Sequence, residues 1–272
     1  MADISIPNLK FPEGPRWHDG TLWLSDQLGG RIWRVDEQGA ATSFCELDHP
    51  SGLGFPPDGD VLVASMDQVC VMRIVEDRIE KAIDLTSFGT HLNDMVVDGR
   101  GRLYLDVYED YASRDSLLVL ACPGEAPRIA ARGLAFPNGV AVTPDGERLL
   151  VSESFAERVT EFDVAPDGTL SNRRTWAQVA GMAPDGLCLD AEGGIWVASY
   201  LQGEFLHLRR GGEVLERISF PDRWAMACAL GGPDGRTLFL CTAQTTTRSY
   251  LKGQAEGYVE SRRVDVAGVG CP

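Results

Sequence analysis

"FPNGVAVTPDGERLLVSES" runs from Phe136 to Ser154, and "APDGLCLDAEGGIWVASY" runs from Ala183 to Tyr200. Both read as a polar residue and a glycine, a short apolar strand, a turn holding a glycine, and a second apolar strand. The phrase recurs along the chain. Turn glycines stand at Gly20, Gly59, Gly101, Gly146, Gly193 and Gly235, roughly 39 to 47 residues apart. They sit in "HDGT", "PDGD", "GRGR", "PDGE", "AEGG" and "PDGR", contexts that tolerate the backbone a hairpin turn needs. After each comes a β-rich run such as "TLWLSD", "DVLVAS" or "TLFLCTA", and before each another short apolar segment.

Behind each hairpin lies chain enough for two further strands, as in "GRIWRVDEQGAATSFCEL" from Gly29 and "RVTEFDVAPDGTL" from Arg158. Four short strands per unit of about 40–45 residues mark a propeller blade, and about six units make a ring. A β-sandwich does not need so long a period, and an α/β fold needs helices for which there is no pattern. The chain is therefore expected to be all-β: one six-bladed β-propeller of four-stranded antiparallel blades over residues 1–272. The tail "GYVESRRVDV" is expected to supply an outer strand of the last blade, with "DISIPN" pairing onto it to close the ring.

With 44% hydrophobic and 24% charged residues, the composition is that of a soluble globular protein. The net charge of −15 is spread along the chain. It disfavours nucleic acid and anionic membrane as partners, and a monomer or small homo-oligomer is expected. The cysteines (Cys45, Cys70, Cys122, Cys188, Cys228, Cys241, Cys271) are odd in number and lack metal-binding spacing, which suits a reducing cytosol. "MADISIPNLK" has no basic region followed by an apolar run, and no stretch approaches the roughly 18 apolar residues of a membrane span. A cytoplasmic protein is the expectation.

In a propeller the first strand of each blade lines the central channel. Counting back seven or eight residues from the turn glycines reaches Glu13, Ser51, Asn93, Asn138, Asp185 and Ala227. Pseudosymmetry gathers these at one mouth, so Asn138 and Asp185 fill the same slot in successive blades. Four of the six carry carboxylate or amide oxygens suited to a cation: two carboxylates and two amides. Two such charges balance one divalent ion, and amide oxygens with water complete a hard-donor shell. Without an ion, two carboxylates crowded into a low-dielectric channel would repel, and one would protonate. The plain alternative is that these residues cap turns and meet solvent. Glycines follow three of them (Gly14, Gly139, Gly186) and let backbones pack closely.

"EGPRW" at Glu13, "LNDMVVDGRGRLY" at Leu92, "FPNGVAVTPDG" at Phe136, "PDGLCLDAEGGIWVA" at Pro184 and "GGPDGRTLFLCTA" at Gly231 together resemble the senescence-marker-protein/gluconolactonase family of regucalcin-like lactonases. The resemblance implies a six-bladed propeller. It implies one divalent ion, variously calcium, zinc, magnesium, manganese or iron, on the residues matching Glu13, Asn138 and Asp185, with Asn93 contacting substrate or ion. It also implies hydrolysis of a small-molecule lactone, commonly a sugar lactone, with Asp185 as the base that activates water. In the sugar lactonases an Arg often stands two residues before the Asn matching Asn93; here "THLND" places His91 there. Histidine does not reproduce a guanidinium fork. His91 stands as a proton shuttle or substrate contact, as an additional ligand, or as a polar residue lining the mouth, and the change puts a polyhydroxylated substrate in doubt.

The second strand of each blade returns to the same mouth, bringing Asp26, Asp106, Glu153 and Tyr200 to the rim, with Tyr108 nearby. Tyr108 and Tyr200 are candidate pocket walls, whereas Asp26 and Asp106 are read as turn-starting residues. His18, His49 and His207 read as structural, and Trp17, Trp23, Trp33 and Trp196 as packing between blades. A GxSxG elbow, an HExxH helix and a phosphate loop are all missing. Alternatives to a metal-dependent lactonase are an esterase acting on a non-sugar substrate, a condensing enzyme on the same scaffold, and a noncatalytic interaction propeller.

Overall fold

A computed structural model describes residues 2–75 and 78–270; Cys271 lies outside them. The described chain forms six four-stranded sheets, all antiparallel, closed into a ring. The expected six-bladed propeller is what the chain adopts. The inner strands are Pro12–His18, Pro50–Gly54, His91–Val97, Pro137–Val142, Pro184–Leu189 and Trp224–Gly231. Strand Ala2–Ile4 pairs with Glu256–Arg263, aligning Ala2 with Ser261 and Ile4 with Val259. The first strand of the chain thus completes the last blade, closing the ring as expected.

Burial explains why the sequence pattern changes across a blade. Second strands such as Val61–Ser65 are buried on both faces, because each sheet packs against two neighbours. The outer strand Arg78–Asp84 is almost wholly exposed and reads as alternating charge. The core is divided accordingly into six hydrophobic clusters, one per seam between blades. Trp17 stacks on Phe239 at 5.5 Å and Trp23 meets Phe55 edge-on at 5.3 Å, each across a seam. All six turn glycines have positive φ, between 70° and 88°, a backbone that other residues resist.

Every inner strand carries one irregularity. Its register against the second strand slips by one residue between Glu13 and Arg16, Pro50 and Leu53, Leu92 and Met95, Pro137 and Val140, Pro184 and Leu187, and Ala225 and Ala227. Such a bulge bends the strand and re-aims its side chains. At the slip the neighbouring inner strands nearly touch. A Cβ on Gly139 would lie 2.6 Å from both the Asp185 carbonyl oxygen and the Gly186 Cα, and one on Gly186 would lie 2.6 Å from the Ala227 Cβ. Gly139→Ala is therefore expected to cost about 1–3 kcal/mol by overpacking. It should lower the urea midpoint, whereas Gly99→Ala, whose added Cβ meets no atom within 4 Å, leaves the midpoint nearly unchanged.

Candidate active site

The six slips bring their side chains to one mouth of the channel, where a cavity of about 410 Å³ opens. Glu13, Asn93, Asn138 and Asp185 line it together, as expected from their shared slot. Ser51 lies beside them, and its Oγ donates to Asn93 Oδ1 at 2.9 Å. Asn93 Nδ2 in turn donates to Asn138 Oδ1 at 2.8 Å. In the sixth blade Met226, not Ala227, reaches the cavity. The slip there falls nine residues before Gly235, so Ala227 packs against Gly186 instead.

Tyr108 and Tyr200 both line the walls. His91 is placed behind them: its ring stacks on Tyr108 at 5.2 Å and its Nδ1 lies 2.9 Å from Thr90 Oγ1. It is not among the residues lining the cavity. The acidic residues ending the second strands act as clamps. Asp26 accepts from the amides of Phe11 (2.9 Å) and Gly29 (3.0 Å), Asp106 from those of Asn93 (3.2 Å) and Asp94 (2.6 Å), and Glu153 from that of Ala135 (2.8 Å). They hold the chain as it enters each inner strand, which fixes where the floor residues point.

Two buried residues beneath the floor escaped the sequence reading. Arg16 Nη2 reaches from the first inner strand to Asp94 Oδ1 at 3.1 Å and to the Met95 carbonyl at 2.8 Å on the third. The signals were present: Asp94 stands where four other blades have glycine, and Arg16 is a second charged residue on a strand that already carries Glu13. Burial, then the negative charge of Asp94, pushes the Glu13 carboxyl up to about 8. Burial, then the charge of Glu13, raises Asp185 well above the usual carboxylate range. Arg16 is already engaged with Asp94, so the floor carries more negative than positive charge.

That imbalance fits a cation. Among the described residues no three His, Cys, Asp or Glu side chains cluster as metal ligands. The floor instead offers two carboxylates and two amides, an all-oxygen set suited to a hard divalent ion.

The walls are of another character. On one side Phe136 stacks on Phe155 at 4.7 Å and tilts against Tyr108 at 5.2 Å. Phe136 holds a left-handed backbone, φ 57°, a conformation that bulky residues adopt only when their surroundings impose it. On the other side Tyr250 packs on Phe11 at 4.9 Å and on Trp224 at 5.9 Å, and Tyr200 meets Trp224 at 5.6 Å. Tyr250 belongs to a short helix, Thr247–Tyr250, in the loop before the last strand. Its hydroxyl donates to Gln27 Oε1 at 2.7 Å. "FPNG" and "SESF" announce Phe136 and Phe155 beside the inner hairpin; nothing local announces Tyr250.

A carboxyl whose pKa is raised by folding keeps its proton in the folded state after the unfolded chain has lost it. Between about pH 4.5 and 8 the folded state therefore binds more protons, and its stability falls as pH rises. In chelator, unfolding free energy is expected to decline through this window by a few kcal/mol, and Glu13→Gln should flatten the decline. Urea titrations at pH 5, 6, 7 and 8 read this directly; a rise in stability across the window would contradict it.

Comparison with known proteins places these features in a family. The model described as SMP-30/Gluconolactonase/LRE-like region matches residues 11–244. Pentonolactonase XacC from Haloferax volcanii is 29% identical, over 86% of this chain and 82% of that protein. The 6-deoxy-6-sulfogluconolactonase of Pseudomonas putida is 27% identical, over 96% of this chain and 93% of that protein. The crystal structure of a regucalcin from Agrobacterium tumefaciens, described as a calcium-binding protein, superposes with a TM-score of 0.85 over 100% of this chain and 96% of its own, at 18% identity. The shared ring is thus preserved where little sequence is, and the extent of the family match makes this chain a member of the SMP-30/gluconolactonase/LRE-like family.

Proposed function

We propose that this chain, a hydrolase acting on carboxylic ester bonds, opens a small-molecule lactone at the floor of the cavity with one divalent cation held by Glu13, Asn138 and Asp185. What carries this is the convergence of four oxygen-donor side chains from four blades at the base of one cavity, two of them carboxyls that burial forces upward. The lactonase names of the relatives support the bond broken.

When bound, the cation supplies Lewis acidity to the carbonyl and lowers the pKa of nearby water. The chain's own residues do the rest. Asn93, held by Ser51 and donating to Asn138, orients the ester without adding charge. Asp185 takes the proton that water loses as the water oxygen adds to the carbonyl carbon. That proton passes to the ring oxygen as the C–O bond breaks, and a hydroxy acid leaves. Glu13 remains the second negative charge of the set. The aromatic walls exclude bulk water, which strengthens each electrostatic contact within.

The six cysteines among the described residues are free, in keeping with a reducing, cytoplasmic setting. No helix among the described residues is long and apolar enough to cross a membrane.

Chelation is expected to abolish lactone hydrolysis, and added divalent cation to restore it. Saturating cation should also raise the melting temperature of the wild type, but not of Asp185→Asn or Glu13→Gln. Asp185→Ala should lower kcat by roughly a thousandfold or more, the loss of base and ligand together. Full turnover by Asp185→Ala, or by chelated wild type shown metal-free by elemental analysis, would overturn the assignment.

A further inference from the structure

The walls of the cavity restrict what its floor can act on. Eight of the residues lining it are aromatic, and Met66, Met226, Leu201 and Leu251 extend the apolar surface. Polar lining beyond the four floor residues comes from Gln27 and Thr247. Gln27 is already occupied, accepting from Tyr250 and donating to Met66 Sδ at 2.8 Å. The Tyr250 hydroxyl proton is in turn spent on Gln27, and Tyr111 meets Tyr108 ring against ring at 5.6 Å. Among the described residues no Arg, Lys or His lines the cavity.

A sugar lactone carries a hydroxyl on nearly every ring carbon. Each one buried without a partner loses its water and gains nothing in return. The aromatic faces offer the opposite: flat apolar surface that takes another ring stacked or edge-on at 4.5–7 Å. The apolar surface continues to the outside. Tyr111 (45% exposed), Leu201 (54%) and Leu251 (72%) are half of the large hydrophobic side chains exposed among the described residues, and all three stand on this cavity. Scattered exposed apolar residues need no explanation, but a collar around a funnel marks a binding site.

Resting on the lactonase assignment above, we infer that the substrate is a lactone with an apolar, ring-containing body, an aryl-fused or aryl-substituted lactone, rather than a polyhydroxylated sugar lactone. The ester reaches the polar floor while the body lies between Phe136 and Phe155 on one wall and Tyr200 and Trp224 on the other. Apolar material at the collar continues the same surface and accommodates a substituent projecting outward. His91 belongs to this design: it backs Tyr108 as part of the aromatic wall and presents no hydrogen-bonding group to the cavity.

The test separates the cavity from the chemistry. With divalent cation supplied, kcat/KM for dihydrocoumarin is compared with that for glucono-δ-lactone, a δ-lactone of the same ring size. Binding of 2-tetralone, the uncleavable ketone shaped like dihydrocoumarin, is measured by calorimetry. Dihydrocoumarin is expected to be preferred by roughly 100-fold or more. 2-Tetralone should bind, and Phe155→Ala or Tyr200→Leu, each confirmed folded by its melting transition, should weaken it about tenfold. Equal or better turnover of glucono-δ-lactone, or no binding of 2-tetralone, would overturn the inference and leave a lactonase standing. Binding of 2-tetralone with no lactone opened would support the apolar cavity and remove the lactonase assignment instead.

Discussion

Close approach of backbone to backbone around the axis is the constraint on which this molecule depends. Six inner strands meet there, and each slips by one residue at the same level. Where Gly139 and Gly186 stand there is no room for a side chain, because the next blade's main chain occupies the place a Cβ would take. The residue beside each glycine is thereby turned toward the channel. The same device that lets the ring close thus aims Glu13, Asn138 and Asp185 at a common centre. Packing and site geometry are one arrangement, so the floor is as rigid as the seams that surround it.

Holding acids so close has an electrostatic consequence. Arg16 and Asp94 bridge the first and third inner strands beneath the floor as an ion pair. They leave Glu13 and Asp185 without a counter-charge, both carboxyls pushed upward by burial. A set of this kind is poorly suited to stabilising the bare protein and well suited to a doubly positive guest. Asp94 adds to the effect by raising both carboxyls, and its place at the slip, where other blades keep glycine, ties the electrostatics to the geometry of the bulge.

Specificity is built from different parts. The floor comes from inner strands, while the walls come from the ends of strands and from connections between them, among them the helix Thr247–Tyr250. Loops on a rigid scaffold are where recognition varies most freely. Family membership therefore speaks to the floor and its chemistry far more than to the aromatic funnel above it. The walls are set by this chain's own residues, among them Phe136, Trp224 and Tyr250.

The sequence by itself determined the repeat, the blade count and the four floor residues. A turn glycine needs positive φ wherever it stands, and a strand buried on both faces must be apolar, so both leave local marks that recur with the blade. The pairing of "DISIPN" with the tail was only an expectation from the sequence, and the contact of Ala2–Ile4 with Glu256–Arg263 decides it. The sequence count reached Ala227 in the sixth blade because counting from the turn assumes a uniform slip, and that slip lies one residue further away. His91 sits beside the floor residues in the chain, yet in space it lies behind Tyr108. Only the tertiary structure decided the Arg16–Asp94 bridge and the assembly of Phe11, Trp224 and Tyr250 into one wall. Those contacts join residues of different blades and connections. Periodicity within a blade records what each strand buries, but not which side chains from separate blades meet across the axis.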